Sequence, residues 1–216
     1  FVDETTTRLS AAPALGSADL EEKDYAWGDV DKDGDIDLIV VRKEPFTSPG
    51  KRVNVLLLNE NGVLTDRTAE FASASDVVLD QGFLTPTNDR DVVLVDVDND
   101  GWLDIVTAVT ISDGNPKHIG HPRVYINLGE DGAQNWLGFR YEDARIPTMR
   151  SYTDQAGFNP RFCSVAAGDL STLTTEAVRV RLEKGLWRRL AKLCNDTGTG
   201  CQALAVTLRG MTLGEL

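Results

Sequence analysis

Histidine is almost missing from this chain, with two residues, His118 and His121, in 216. A triad that needs an imidazole base therefore has few residues to draw on. A nitrogen-ligated zinc or copper centre finds no third ligand beside "HIGH" at His118 to His121, which reads as a polar loop. Positive charge is scarce as well. Lys and Arg number 22 against 34 Asp and Glu, giving a net charge of −12 and a sequence pI near 4.6. Nucleic acid and anionic membrane surfaces both require a basic footprint, so neither is an expected partner. No apolar run approaches the roughly 18 residues of a membrane span, so no membrane insertion is expected. The opening "FVDETTTRLS" has no basic or apolar leader region and no initiating Met; it reads as a mature or excised piece. No P-loop, G-x-G-x-x-G, H-E-x-x-H or G-x-S-x-G is present. Cys163, Cys194 and Cys201 leave two readings open. In one, Cys194 pairs with Cys201 in an oxidising compartment; in the other, all three are unpaired thiols. "NDT" at Asn195 to Thr197 would be a glycosylation acceptor only in a secretory context.

What the chain has in excess is aspartate at alternate positions. "GDVDKDGDIDLIVV" places Asp29, Asp31, Asp33, Asp35 and Asp37 within nine residues and follows them with an apolar run. At about 4 Å, two like unit charges repel by roughly 4 kcal/mol even at an effective dielectric near 20. A concentration of this kind calls for a cation. The pattern returns as "VDVDNDGWLDIVTAV", where Asp96, Asp98, Asp100, Gly101 and Asp104 match Asp29, Asp31, Asp33, Gly34 and Asp37, 67 residues on. Repetition at a fixed period is the signature of stacked repeat units.

The followers repeat too. "RVNVLLLN" from Arg52 and "RVYINLG" from Arg123 read as strands. Turns at "ENG" (Glu60 to Gly62) and "EDG" (Glu130 to Gly132) follow them, and then "VLTDRT" from Val63 and "GFRYEDA" from Gly138. "FVDETT" resembles "LTDRTA" at Leu64 to Ala69, as the end of an earlier copy would. Asp3, Asp66 and Asp143 precede positions 29, 96 and 169 by 26 to 30 residues. The third slot thus falls at Gly168-Asp169, where Ser171, Leu173, Thr174 and Ala177 replace the remaining carboxylates and the glycine. No third metal site is expected. Each repeat reads as four short strands, an all-β architecture of propeller blades. Loops Arg42 to Lys51 and Ile111 to Pro122 are expected to project from one rim.

Residues 1–170 form the repeat region, and residues 171–216 form an atypical, irregular or helical tail. From Thr172 to Lys192 the tail carries six basic and two acidic residues, with Val178, Leu182, Leu186, Leu190 and Leu193 near helical spacing. A degenerate third blade, a helical cap and a replaced blade end are the three readings it allows.

D-x-D-x-D-G-x-x-D suits a hard cation that takes six to eight oxygens, as calcium does. Side-chain oxygens would come from Asp29, Asp31, Asp33 and Asp37 in the first loop, and from Asp96, Asp98, Asp100 and Asp104 in the second. The backbone carbonyls of Asp35 and Trp102 would complete the two sets. Carboxylate-only ligation disfavours zinc and copper, and magnesium is a poorer match because it demands near-octahedral geometry. The loops are not EF-hands: position twelve holds Val40 and Thr107 rather than a bidentate Glu. Trp27, Trp102, Trp136 and Trp187 read as core or rim packing.

These loops and their followers resemble VCBS/FG-GAP repeats, the calcium-loop blades of integrin-like β-propellers, over about residues 1–170. The resemblance implies two structural calcium ions and an extracellular, periplasmic or cell-surface location. It also implies that the chain is part of a larger propeller whose remaining blades are partners. The function expected from it is non-enzymatic: adhesion or ligand binding, toward an extracellular protein or a glycan, through the rim loops. The alternative is a carbohydrate-binding or polysaccharide-processing module of lectin or lyase type.

Overall fold

The computed structural model describes residues 2–12, 21–45, 49–110, 114–149, 161–167 and 201–205. The first acidic loop joins β1 (Glu21–Gly28) to β2 (Asp37–Lys43), and β3 (Val55–Glu60) and β4 (Val63–Asp66) follow. These four strands form an antiparallel sheet in chain order. β2 is buried along its whole length, as a continuous apolar run between two covered faces should be. Asn61 and Gly62 close the β3–β4 hairpin with φ of 56° and 85°, the positive values that a two-residue turn matched to strand twist requires.

The second acidic loop joins β6 (Asp89–Val95) to β7 (Asp104–Val109), and β8 (Arg123–Asn127) and β9 (Phe139–Tyr141) complete the repeat. Two features depart from the sequence reading. The "EDG" turn is not tight: residues 128–138 form a longer loop, in which Asp131 accepts the N–H groups of Ala133 and Asn135. The linker also contributes a fifth strand, β5 (Ala74–Ser75), parallel to β9. It covers an edge that would otherwise leave backbone groups unpaired. The chain's opening repeats this device. Helix α1 (Thr5–Arg8) follows Asp3 as helix α2 (Thr68–Phe71) follows Asp66, each with a threonine N–H on the aspartate. Beyond α1 the Ala11 carbonyl accepts the Asp66 N–H of β4 at 3.1 Å; beyond α2 the Asp76 N–H reaches the Tyr141 carbonyl of β9 at 3.0 Å.

The sheets stack face to face. Ile39, Val41, Leu56 and Leu58 of the first pack on Val92, Ile105, Tyr125, Phe139 and Tyr141 of the second. The far side of the second sheet, with Val106, Ala108, Val124 and Ile126, packs on Phe162 and Val165 of β10 (Arg161–Ala166). Full burial of one such aliphatic or aromatic side chain contributes roughly 1.5–3 kcal/mol. A fully buried ion pair, Arg123 with Asp80 at 3.0 Å, ties the linker to β8, and the guanidinium lies 3.7 Å from the Tyr141 ring centroid.

In the tail the described residues form β11 (Cys201–Ala205), a strand parallel to β10. The helix expected over 172–192, the third slot at Gly168-Asp169, Cys194, Trp187 and the sequon at Asn195 lie outside the described residues. Other expectations are corrected at their edges. Arg42 and Lys43 belong to buried β2 rather than to a projecting loop. "HIGH" is a helical turn, α3 (Lys117–Gly120), followed by a buried His121 whose Nε2 lies 3.0 Å from the Met149 backbone. Burial lowers the His121 pKa, which favours the neutral ring.

Candidate metal centre

Both acidic loops fold the same way, position by position. Lys32 and Asn99, fourth in their loops, take left-handed φ of 60° and 62°; Gly34 and Gly101, sixth, take 96° and 91°. The last values are ones that a side chain resists, so the glycines let the loop turn back on itself. The turns are held by their own carboxylates. Gly34 donates to Asp29 at 3.2 Å and Gly101 to Asp96 at 3.0 Å. Asp35 donates to Asp33 and Trp102 to Asp100, both at 2.8 Å.

The ninth position is the anchor. Asp37 and Asp104 open β2 and β7, and each is essentially inaccessible to solvent. Asp37 accepts N–H groups from Val30 and Asn59, both at 2.9 Å. Asp104 accepts them from Val97 at 2.7 Å and Asn127 at 2.8 Å. Desolvation nevertheless dominates and pushes both carboxyls up to about 6; the N–H bonds oppose it, while Asp31 and Asp33, or Asp98 and Asp100, add to it. Burial likewise raises Asp31.

Among the described residues, carboxylate oxygens of Asp29, Asp31 and Asp37 lie within 4.8 Å of one another, as do those of Asp96, Asp98 and Asp104. The fifth-position acids, Asp33 and Asp100, are not in these groups; they are exposed and cap the turn. Asp35 and Trp102 share one loop position, after the glycine. A cation fits the first cage on the structure's own terms. Asp29 Oδ1 is buried there without a hydrogen-bond partner, beside a buried carboxyl destabilised by its neighbours. An unpaired buried acceptor of this kind costs about 1–3 kcal/mol, which an ion would remove. In the second cage, Asp98 also meets Arg145 at 3.2 Å.

Reading the sequence alone left out two further pairs that obey the repeat. Asn59 and Asn127 each give a backbone N–H to the anchoring aspartate. Asp24 and Asp91, 67 residues apart like the loops, staple neighbouring sheets. Asp24 accepts the Val92 N–H at 3.1 Å and Asp91 the Val165 N–H at 2.9 Å. The 67-residue offset leads from Asp24 to Asp91, but from Asn59 it falls on Ile126, one residue short of Asn127.

Antiparallel four-stranded units, stacked face to face with a duplicated carboxylate cage between the first two strands of each, define a propeller-type repeat protein. Residues 29–107 match the family model of the FG-GAP-like repeat, a span that runs from the first cage through the second. Over that stretch the chain is similar to FG-GAP-like repeats. Comparison with curated proteins and with solved structures gave no match.

Proposed function

We propose that the chain is a calcium-stabilised segment of a β-propeller, part of a secreted or surface protein, in which two ions hold the blades in shape. Asp29, Asp31 and Asp37 would hold one ion, and Asp96, Asp98 and Asp104 the other, with Asp33, Asp100 and the carbonyls of Asp35 and Trp102 completing the shells. The carrying observation is the duplicated cage with a buried anchoring aspartate in each copy and, in the first, a buried, unpartnered oxygen on Asp29. An all-oxygen, all-acid donor set of this kind suits calcium. The role is binding rather than catalysis, toward an extracellular protein or glycan. Among the described residues no helix is long and apolar enough to cross a membrane.

Further blades are the proposed neighbours of the first sheet. Val92, buried against the first sheet in the second repeat, corresponds to Tyr25, which is 50% exposed, and Leu94 corresponds to Trp27, which is 57% exposed. On this face the β1 edge is open, while Leu38, Val40, Val55 and Leu57 beside it are buried with Ala12. A second reading, glycan binding, draws on the same Trp27, which lines a groove with Arg8, Ile36 and Asn59; exposed aromatic faces of this kind can stack on apolar ligand faces.

Calcium should raise the melting temperature by an amount that grows with free calcium, and an unchanged melt between chelator and millimolar calcium would refute the proposal. Asp31→Ala should leave one bound ion per chain by calorimetry; two remaining would contradict the ligand set. Glycan-array binding that is lost in Trp27→Ala would favour the second reading.

A further inference from the structure

The two cages are joined by one buried side chain. Asn127 is 1% exposed, and its backbone N–H holds Asp104 of the second cage. Its side-chain Nδ2 donates to two carbonyls. One is Leu103, next to Asp104, at 3.1 Å; the other is Val30 of the first loop, between Asp29 and Asp31, at 2.8 Å. The amide cannot be flipped, because Oδ1 already accepts the Gly129 N–H at 3.1 Å and the Trp136 indole N–H at 2.8 Å. Val30 in turn gives its N–H to Asp37. An unbroken chain therefore runs Asp37, Val30, Asn127, Asp104, from the anchor of one cage to the anchor of the other. A second bridge lies at the surface, where Lys32 of the first loop places its ammonium 3.9 Å from the ring centroid of Trp102 in the second.

We infer that the two loops load their ions cooperatively, with Asn127 as the coupling residue. The inference rests on the proposed calcium reading and adds a regulation to it. An ion in either cage must fix the anchor aspartate and the peptide that it holds. Fixing Asp37 fixes the Val30 carbonyl, hence the Asn127 amide and the peptide beside Asp104. The ordering cost of that shared bridge is met by the first ion and is absent for the second, which is positive coupling without a change of shape. Repulsion between the two ions acts the other way, but it is screened over a Debye length of about 8 Å at physiological ionic strength. The coupling falls at the lower end of the usual 5- to 150-fold range, at about 5- to 10-fold.

Calorimetric titration with calcium chloride tests this. Asp31→Ala and Asp98→Ala each leave one loop, and their two single-site constants define the uncoupled case. The product of the two macroscopic association constants of the unaltered chain should exceed the product of those single-site constants by about 5- to 10-fold. Asn127→Asp keeps the acceptor for Gly129 and Trp136 but removes the donor, so the same cycle built on it should give a ratio near one. Lys32→Ala, at an exposed position, should lower the ratio in part and serves if Asn127→Asp does not fold. Two ions bound with a ratio of one or less in the unaltered chain would overturn the coupling and leave the calcium reading standing. A ratio that persists in Asn127→Asp, or in Lys32→Ala if that variant alone folds, would overturn the bridge. No calcium uptake by the unaltered chain would overturn both readings.

Discussion

Acidification should weaken calcium binding far above the pH at which ordinary aspartates titrate. Asp37 and Asp104 are pushed up to about 6 by burial, from an ordinary value of 3.8. A folded-state pKa raised in this way means that the ion-free protein holds these protons more tightly than the unfolded chain does. Its stability from these groups is therefore greatest at low pH and is lost as the pH rises through about 6. Calcium must displace the same protons, so apparent affinity climbs over that window and flattens above it. With one such carboxyl per cage, affinity at pH 5 should be about 11-fold below its plateau, or about 1.4 kcal/mol per ion. Asp31, raised by burial, adds to the effect. A cage of three ordinary aspartates would lose only about 20% of its affinity over the same range. Calorimetry at pH 5, 6 and 7.5 in matched ionic strength reads the difference directly. Equal affinities at pH 5 and pH 7.5 would refute the buried-anchor argument.

Three other outcomes follow from particular contacts. Arg123→Ala removes the only cation paired with fully buried Asp80 among the described residues, so urea unfolding should show a loss of about 3–5 kcal/mol. Asp24→Asn should stabilise the protein by about 0.5–1 kcal/mol at pH 7.5, because it relieves the like charge of Asp91 while keeping an acceptor for the Val92 N–H. Since burial raises the Asp24 pKa, the wild-type deficit grows as pH rises through that pKa, and the gain should vanish toward pH 4 in chemical melts. Gly34→Ala has open space for its Cβ but must hold a φ of 96°, a strain of about 1–3 kcal/mol. It should weaken calcium binding in the first loop while the second loop titrates as before.

The parts of the fold legible in the sequence were those fixed by local chemistry. Aspartates at alternate positions with a glycine sixth specified both loops, and the unbroken run Leu38 to Val41 specified a strand buried on both faces. The hairpin at Asn61-Gly62 followed from the two residues that tolerate positive φ. What escaped depends on contacts distant in sequence. β5 is two residues long and becomes a strand only because β9 offers an edge. The loop of residues 128–138 is set by Asp131 capping its own backbone and by the Trp136 indole reaching Asn127. Asn127 itself looked like the end of a strand, and nothing near it in sequence shows that its amide spans two cages. Asp33 and Asp100 carry the loop motif, yet one carboxylate oxygen of each accepts a turn N–H that the motif alone does not reveal.

Anomalous diffraction from crystals grown in millimolar calcium, collected at a long wavelength, reads the central claim without an intermediary. Two peaks are predicted, one among Asp29, Asp31 and Asp37 and one among Asp96, Asp98 and Asp104. Ordered loops with no peak at either place would contradict it.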